Sequence, residues 1–148
     1  MASASLIIQE SGAQIGKEIP PDLPPISGDA AAMERALQNL ISNAIKYGGE
    51  NPTVNLKAEL GSEKDEVQIT VEDQGMGIAP DELPHVFEPF FRGQEVSAAQ
   101  INGSGLGLSL VKRTVEAQRG RVTVRSAPGH GSSFTIHMPI ASHVIDRT

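Results

Sequence analysis

The feature that most constrains the fold is one long apolar stripe between residues 29 and 47. On a helical wheel, six apolar side chains fall on one face: Met33, Leu37, Leu40, Ile41, Ala44 and Ile45. Asp29 follows Gly28 and suits the N-cap, and Gly48-Gly49 suits the end. The stripe therefore predicts an amphipathic helix from about Asp29 to Tyr47 that buries one face in the core.

A second line of side chains runs beside this stripe. It consists of Arg35, Asn39, Asn43 and Lys46. Because residues four apart stack on one helix face, the two Asn amides can converge on a single ligand. The helix alone also allows a simpler interpretation, in which these residues only mark the edge between core and solvent.

Two hairpins are predicted from alternating apolar and polar residues. Residues 54–60 and 67–71 form the first, and residues 122–124 and 134–138 form the second around Pro128-Gly129, a suitable type II turn. Together with the helices, they predict an α+β fold. The expected architecture is a two-layer sandwich, in which about three helices cover one face of a mixed, mostly antiparallel sheet.

The remaining elements are shorter or less regular. Residues 5–10 suit a short helix and 13–19 an extended segment, and Pro80 suits the start of a helical turn. A second amphipathic helix is predicted from Leu106 to about Gln118. Its apolar face is expected to contain Leu106, Leu110, Val111 and Val115.

Composition excludes several functional classes. A length of 148 residues indicates a single domain. A net charge of −6 without a basic cluster argues against nucleic-acid binding, and the absence of Cys excludes thiolate metal sites. No apolar run approaches the roughly 20 residues of a membrane span. We therefore expect a cytoplasmic domain that makes no membrane contact itself.

Three glycine-rich segments suggest a nucleotide site. Asp73 precedes Gly75 and Gly77, and a carboxylate held there can accept a hydrogen bond from an exocyclic amine. Residues 103–108 lead into a helix, whose N-terminal N–H groups favour phosphate oxygens. Residues 129–134 suit a hairpin turn. Each segment alone is also compatible with an ordinary turn or loop.

Taken together, these motifs resemble those of the ATP-binding catalytic domain of bacterial sensor histidine kinases, which has the Bergerat ATP-binding fold. In the family's order, they are an N box (39–47), a first glycine box (73–77), an F box (87–92), a second glycine box (103–108) and a third (129–134). All five span about two-thirds of the chain. The resemblance implies a single domain with a lead-in at 1–28 and an ATP lid at 92–106.

The resemblance also implies roles for individual residues. Asn43 would ligate Mg²⁺ with Asn39 beside it, Lys46 would contact phosphate, Tyr47 would lie along the purine, and Asp73 would accept the adenine amino group. Ser132 or Ser133 would assist Asp73. The remaining predicted ATP-binding residues are Gly75, Gly77, Ile78, Arg92, Gly103, Gly105, Leu106, Gly107 and Leu108.

Two departures from the family pattern refine this assignment. Gln118-Arg119-Gly120 replaces the frequent His-Gly-Gly, which we expect to alter a turn but not the ATP site. The four histidines are His85, His130, His137 and His143, and none lies in a phosphoacceptor helix motif. We expect each to lie at the surface or in a turn.

The resemblance therefore implies transfer of the γ-phosphoryl group to a histidine on a separate dimerisation domain, which this chain lacks. A response regulator would then be an indirect partner, the parent protein could be membrane-anchored, and the chain itself would be monomeric. Three alternatives stay open: an anti-sigma-type serine kinase, an ATPase module of the same fold and a pseudokinase. Both enzyme relatives carry Glu where this chain has Asn39, and Asn cannot act as a base.

Overall fold

Five strands and two α-helices make up most of the chain that the computed structural model describes, namely residues 14–20, 28–46, 53–61, 66–88 and 107–140. The elements are β1 (Gln14–Glu18), α1 (Ala30–Lys46), β2 (Thr53–Leu60), β3 (Glu66–Asp73), α2 (Gly107–Ala117), β4 (Arg121–Ser126) and β5 (Ser132–Pro139). A short 3-10 helix lies at Leu83–His85. The α+β class is confirmed.

The strands form one sheet in the order β1-β2-β3-β5-β4. β1 pairs with β2 in parallel, and the other neighbours are antiparallel, as predicted for a mixed, mostly antiparallel sheet. The register places Val54, Asp73, Ser132 and Ser126 in one row across four strands. Because β2, β3, β5 and β4 all begin or end near this row, it marks one end of the sheet.

The core lies between the helices and one face of the sheet. Alternate residues of a strand point to the same face, so Val54, Val71, Phe134, Ile136 and Met138 meet the helices. The opposite face is polar. On that face, Lys57 forms a salt bridge with Glu72 at 3.1 Å, and the hydroxyls of Thr70 and Thr135 form a hydrogen bond at 3.0 Å.

Helix α1 begins as its sequence predicts. The Asp29 carboxylate accepts hydrogen bonds from the N–H groups of Ala31 (2.9 Å) and Ala32 (3.3 Å), so Asp29 is the N-cap. The predicted stripe is buried apart from Leu37, which is half-buried. The helix is described to Lys46, and its predicted end at Tyr47 and Gly48-Gly49 lies outside the described residues.

Two predictions about side-chain position are wrong. Leu110 is 46% exposed, because α2 buries the face that contains Val111 and Val115, and Leu110 lies at the edge of that face. His137 is only 8% exposed, because its ring is held between Thr123 and Glu66. The predicted helix at 5–10 and the predicted lid at 92–106 lie outside the described residues.

Candidate functional site

The site is centred on a buried carboxylate at the end of β3. Asp73 is 7% exposed and lies on the sheet face that the helices cover. Its Oδ1 accepts a hydrogen bond from the N–H of Gly75 at 2.9 Å. Burial raises the pKa of Asp73, and hydrogen bonds from the backbones of Gly75 and Ser132 oppose that shift. A carboxylate with this support can accept a further hydrogen bond from a ligand.

Two glycine segments pack backbone against backbone around Asp73. Gly77 has φ +75°, and a Cβ there would collide with the carbonyl of Ala127. Gly131 has φ +74°, and a Cβ there would collide with the carbonyl of Asp73. These close approaches explain why both positions need glycine. The first and third glycine boxes are therefore one structural unit.

The turn between β4 and β5 joins this unit. The Ala127 carbonyl accepts a hydrogen bond from the N–H of His130 at 3.0 Å, and Gly129 has φ +78°, as expected at the third position of a type II turn. The N–H of Gly129 also donates to the carbonyl of Met76 at 2.8 Å. The turn is thus tied to the segment that follows Asp73.

Ser126 is a site residue that the sequence reasoning missed. Its hydroxyl lies 2.8 Å from the N–H of Ile78, from the Gly131 carbonyl and from the Ser132 hydroxyl. The sequence pattern gave no signal for it: a two-residue turn at Pro128-Gly129 would pair Ser126 with Gly131, whereas the observed register pairs Ser126 with Ser132. Ser126 therefore links both glycine segments to the row that contains Asp73.

The two serines predicted to assist Asp73 lie on opposite faces of the sheet. Ser132 is buried and pairs directly with Asp73. Ser133 donates a hydrogen bond to Glu72 at 3.3 Å, on the polar outer face. Only Ser132 is thus in reach of a ligand that contacts Asp73.

Helix α1 brings its polar line to the same end of the sheet. Residues 47–52 connect Lys46 to Thr53, and the next residue, Val54, pairs with Asp73. The N-terminus of α1 lies at the opposite end of the sheet, because a Cβ added to Gly28 would contact Met138, which pairs with Val67. The C-terminal half of α1 therefore lies towards Asp73. Asn39 and Asn43 are half-buried on that half, whereas Lys46 is exposed.

Helix α2 also directs its N-terminus to this end. At its other end, Gln118 accepts a hydrogen bond from the N–H of Asp29 and donates to the Met33 sulfur at 3.6 Å. The C-terminus of α2 thus lies at the N-terminus of α1, and the two helices run antiparallel. Gly107 begins α2 beside the C-terminal half of α1, and no atom of the described residues lies within 4 Å of a Cβ added there.

The departure at Gln118-Arg119-Gly120 lies in this turn, at the end of α2 that contacts the N-terminus of α1. Arg119 has φ +67°, the left-handed conformation usual for glycine at the end of a helix. The N–H of Gly120 donates to the Val115 carbonyl at 3.0 Å and completes the turn. Gln118 and Arg119 are thus remote from Asp73.

The first phenylalanine of the F box packs into the core beside α2. The rings of Phe87 and Phe134 are 6.1 Å apart in an edge-to-face arrangement. The Lys112 ammonium lies 5.9 Å from the centroid of Phe87. Phe87 therefore attaches the segment that precedes the predicted lid to the folded core.

The described residues bring together part of the predicted site. Asn39, Asn43, Asp73, Gly75, Gly77, Ile78, Gly107 and Ser132 belong to segments that meet at one end of the sheet. The side chain of Leu108 is partly buried and packs against the hydrophobic core. The predicted site residues outside the described ranges are Tyr47, Arg92, Gly103, Gly105 and Leu106.

The described residues contain neither a metal-ligating cluster nor a membrane-spanning helix. Within these ranges, no group of three or more His, Cys, Asp or Glu side chains is placed to hold a metal ion. The helices they contain are too short or too polar to cross a membrane.

Comparisons with known proteins agree on one family. The family described as histidine kinase-, DNA gyrase B-, and HSP90-like ATPase matches residues 28–142. Sensor histidine kinase AtsR of Burkholderia thailandensis is 39% identical over 123 residues, which are 82% of this chain and 20% of AtsR. The curated relatives are much longer proteins, and the chain spans 20–29% of the length of AtsR, SenX3 and CpxA.

Two solved structures share the fold. The solved chain of the mycobacterial sensor histidine kinase MprB superposes with a TM-score of 0.77 at 27% identity, covering 94% of this chain and 90% of that solved chain. Full-length ShkA, solved in complex with AMPPNP, gives a TM-score of 0.77 at 32% identity, covering 94% of this chain and 28% of ShkA. The predicted resemblance to histidine kinase catalytic domains is confirmed.

Proposed function

Since the chain belongs to the family of histidine kinase-, DNA gyrase B- and HSP90-like ATPases, we propose that it binds Mg-ATP and donates the γ-phosphoryl group to a histidine on a separate dimerisation domain. The observation that carries this proposal is the environment of Asp73. A buried carboxylate, held between two tightly packed glycine segments, faces the helix layer. ShkA, whose fold is similar, was solved with AMPPNP.

The adenine end of the site depends on hydrogen-bond acceptors. The Asp73 carboxylate accepts from the adenine amino group, and Ser132 lies beside it in the neighbouring strand. Gly75, Gly77 and Ile78 form the backbone wall of this subsite, and Tyr47 covers the purine. The site binds a base that carries an amino group more tightly than one that lacks it, because a buried acceptor without a donor partner is costly.

The phosphate end depends on the two helices. The first-turn N–H groups of α2, from Gly107 onward, lack partners within the helix and favour phosphate oxygens. Lys46 and Arg92 add positive charge, and residues 92–106, with Gly103, Gly105 and Leu106, close over the phosphates as a lid. These contacts hold the γ-phosphoryl group in place for transfer.

The site also fits a magnesium ion. Mg²⁺ prefers oxygen ligands and keeps several waters, and the half-buried amide of Asn43 supplies one such oxygen, with Asn39 one turn away. When bound, the ion neutralises phosphate charge.

Asn39 favours phosphoryl transfer over hydrolysis. An amide cannot take a proton from water or from a serine hydroxyl at neutral pH. An ATPase module or an anti-sigma-type serine kinase would need a carboxylate at this position. The names of the similar proteins, all sensor histidine kinases or sensor proteins, support the same choice. A pseudokinase retains nucleotide binding but transfers no phosphate.

The partner proposed for this domain is the pair of helices that carry the phosphoacceptor histidine. The similar kinases are several times longer, so we infer a parent protein that supplies those helices and its own sensor region. The domain itself would act in the cytoplasm, as a monomer, and would communicate with a response regulator only through the phosphohistidine. A membrane anchor, where present, would belong to the parent.

The test is reconstitution. The chain is mixed with the dimerisation domain encoded in its parent gene and with ATP labelled at the γ-phosphate. We expect an acid-labile label on the histidine of the added domain and little free phosphate when that domain is omitted. An acid-stable serine label or rapid release of phosphate would contradict the proposal, and ATP binding without any transfer would identify a pseudokinase.

A further inference from the structure

The hydroxyl of Ser126 has three hydrogen-bond partners but only one hydrogen. The N–H of Ile78, the carbonyl of Gly131 and the hydroxyl of Ser132 each lie 2.8 Å from its oxygen. Two of these partners have fixed roles, since a backbone N–H can only donate and a carbonyl can only accept. The direction of the third bond, to Ser132, follows from them.

Only one arrangement places a hydrogen in all three contacts. The single hydrogen of Ser126 must point to the Gly131 carbonyl, because no other hydrogen is available for that contact. The Ser126 oxygen then accepts from the N–H of Ile78 and from the hydroxyl of Ser132. The reverse direction would bring the Gly131 carbonyl against a lone pair at 2.8 Å, and buried polar groups seldom tolerate this.

This arrangement fixes Ser132 as an acceptor. Its hydrogen is directed to Ser126, so only lone pairs of the Ser132 oxygen can face a ligand. Asp73 is the direct cross-strand neighbour of Ser132 on the same face, and side chains paired in this way lie about 4.5–5.5 Å apart at Cβ. Two hydrogen-bond acceptors therefore stand side by side, and both favour a ligand with two donor hydrogens.

We propose that Ser126 is a positioning residue that sets the base preference of the site through Ser132. Through Ser132, Ser126 makes the site favour adenine, which carries an exocyclic amino group, over a purine that carries a carbonyl at the same ring position. The inference rests on the proposed nucleotide function and adds a specificity determinant outside the predicted site. An amino group offers one hydrogen to Asp73 and one to Ser132, directly or through a water, whereas a carbonyl meets two acceptors.

The experiment compares ATP with ITP, which carries a carbonyl in place of the adenine amino group. Dissociation constants for both Mg-nucleotides are measured by calorimetry on the wild-type chain and on Ser126→Ala. In Ser126→Ala, the Ser132 hydroxyl can rotate and donate to the carbonyl of ITP. We expect the ATP preference to fall about tenfold, the effect of one redirected hydrogen bond.

Matched variants separate polarity from packing. Ser126→Thr keeps the hydroxyl and should preserve the ATP preference to within about twofold, while Ser126→Cys, a weak donor and acceptor, should be intermediate. If Ser126→Ala does not fold, Ser126→Cys replaces it in the experiment, because the cysteine sulfur occupies the position of the serine oxygen. In a Ser132→Ala background, which has no hydroxyl to redirect, Ser126→Ala should leave the preference unchanged.

The outcomes separate this inference from the proposed function. If Ser126→Ala and Ser126→Cys weaken ATP and ITP equally, Ser126 has only a packing role and the inference is overturned. An equal loss of preference in the Ser132→Ala background overturns it as well. If the wild-type chain binds neither nucleotide, the proposed function fails and the inference fails with it.

Discussion

Strand β3 carries a carboxylate at each end, and the surrounding residues shift the pKa values of these two groups in opposite directions. At one end, burial raises the pKa of Asp73, and two hydrogen bonds from backbone N–H groups only partly compensate. At the other end, burial also raises the pKa of Glu66, but hydrogen bonds from His137 and Gln68 and the charge of Arg121 outweigh it. The net result is a lowered pKa for Glu66.

The difference distinguishes a site from a structural contact. Glu66 has protein partners in place, with Arg121 at 3.2 Å and His137 at 3.3 Å, so its carboxylate already makes hydrogen bonds within the protein. Asp73 has two backbone bonds, no ion pair among those found in the described residues, and two crowded glycines beside it. Its remaining capacity to accept hydrogen bonds is available to a ligand.

The largest expected effect comes from removing a required glycine at the Asp73 end. In Gly131→Ala, the added Cβ combines a strained φ with a collision against the Asp73 carbonyl, so we expect the free energy of unfolding to fall by about 3 kcal/mol or more. Gly129→Ala is the matched control. Gly129 has a similar φ, but a Cβ added there meets no atom of the described residues within 4 Å, so the variant should cost only about 1 kcal/mol.

Urea denaturation of the two variants measures this difference directly. Equal losses in Gly131→Ala and Gly129→Ala would mean that the backbone contact between the glycine segments does not exist in solution. The comparison between the two ends of β3 would then lose its structural basis.

The next effect separates binding from stability. Asp73→Asn removes the charge that binds the amino group, so we expect Mg-ATP affinity to fall by about 30-fold or more. The same change removes a buried charge and should raise the free energy of unfolding by about 1 kcal/mol at pH 7. Calorimetric titration and urea denaturation measure the two quantities. A variant that loses stability and affinity together would contradict the account.

The pH dependence of Asp73→Asn follows from the sign of the shift. Because the pKa of Asp73 is raised in the fold, its carboxyl group stabilises the fold at a pH below the pKa that Asp has in the unfolded chain, about 3.9. This contribution is lost as the pH rises through the folded pKa. The stability gain of the variant should therefore appear at neutral pH and disappear in acid. A gain that is constant with pH would indicate another cause.

A smaller effect is expected at the turn near Glu66. Arg119 adopts a left-handed conformation with φ +67°, so Arg119→Gly should raise the free energy of unfolding by about 1 kcal/mol and leave Mg-ATP affinity unchanged. Arg113→Gly, on the exposed face of α2, is the control and should lower it by about 1 kcal/mol. Denaturation curves that shift in the same direction for both variants would refute the conformational argument.

The smallest effect is expected for Glu66 itself. Arg121 is 58% exposed, so water screens its ion pair with Glu66, and Glu66→Gln should cost only about 0.5 kcal/mol at pH 7. Because the pKa of Glu66 is lowered, its contribution is present above the unfolded value of about 4.3 and is lost as the pH falls through the folded pKa. Acid denaturation of Glu66→Gln should therefore be shallower than that of the wild type, with unchanged ATP binding.

Sequence patterns sufficed where the periodicity of a single element decides the structure. The stripe on α1 predicted its buried residues except Ala36, and the Pro128-Gly129 pair predicted the turn between β4 and β5. The motif order predicted the family, and the register then brought Asp73 next to Ser132. These features follow from local rules of backbone conformation and side-chain spacing.

The rest depended on contacts between elements that no single segment encodes. Leu110 matches the spacing of an apolar face, yet the packing of α2 rotates it outward, and His137 is buried only because Thr123 and Glu66 come from two other strands. Ser126 and the opposite orientation of Ser133 became visible only once the register was known. Pairing across the sheet therefore decides most of the site's polar detail.

The most direct test of the central claim is a titration of the ¹⁵N-labelled chain with Mg-ATP, followed by amide chemical shifts. We predict the largest changes at Gly75, Gly77, Ile78, Gly131 and Ser132, at the Asp73 end of β3. The amides of Glu66, Gln68, Arg121 and His137 should stay unperturbed. Changes centred on the Glu66 end, or no changes at millimolar Mg-ATP, would contradict the assignment of the nucleotide site.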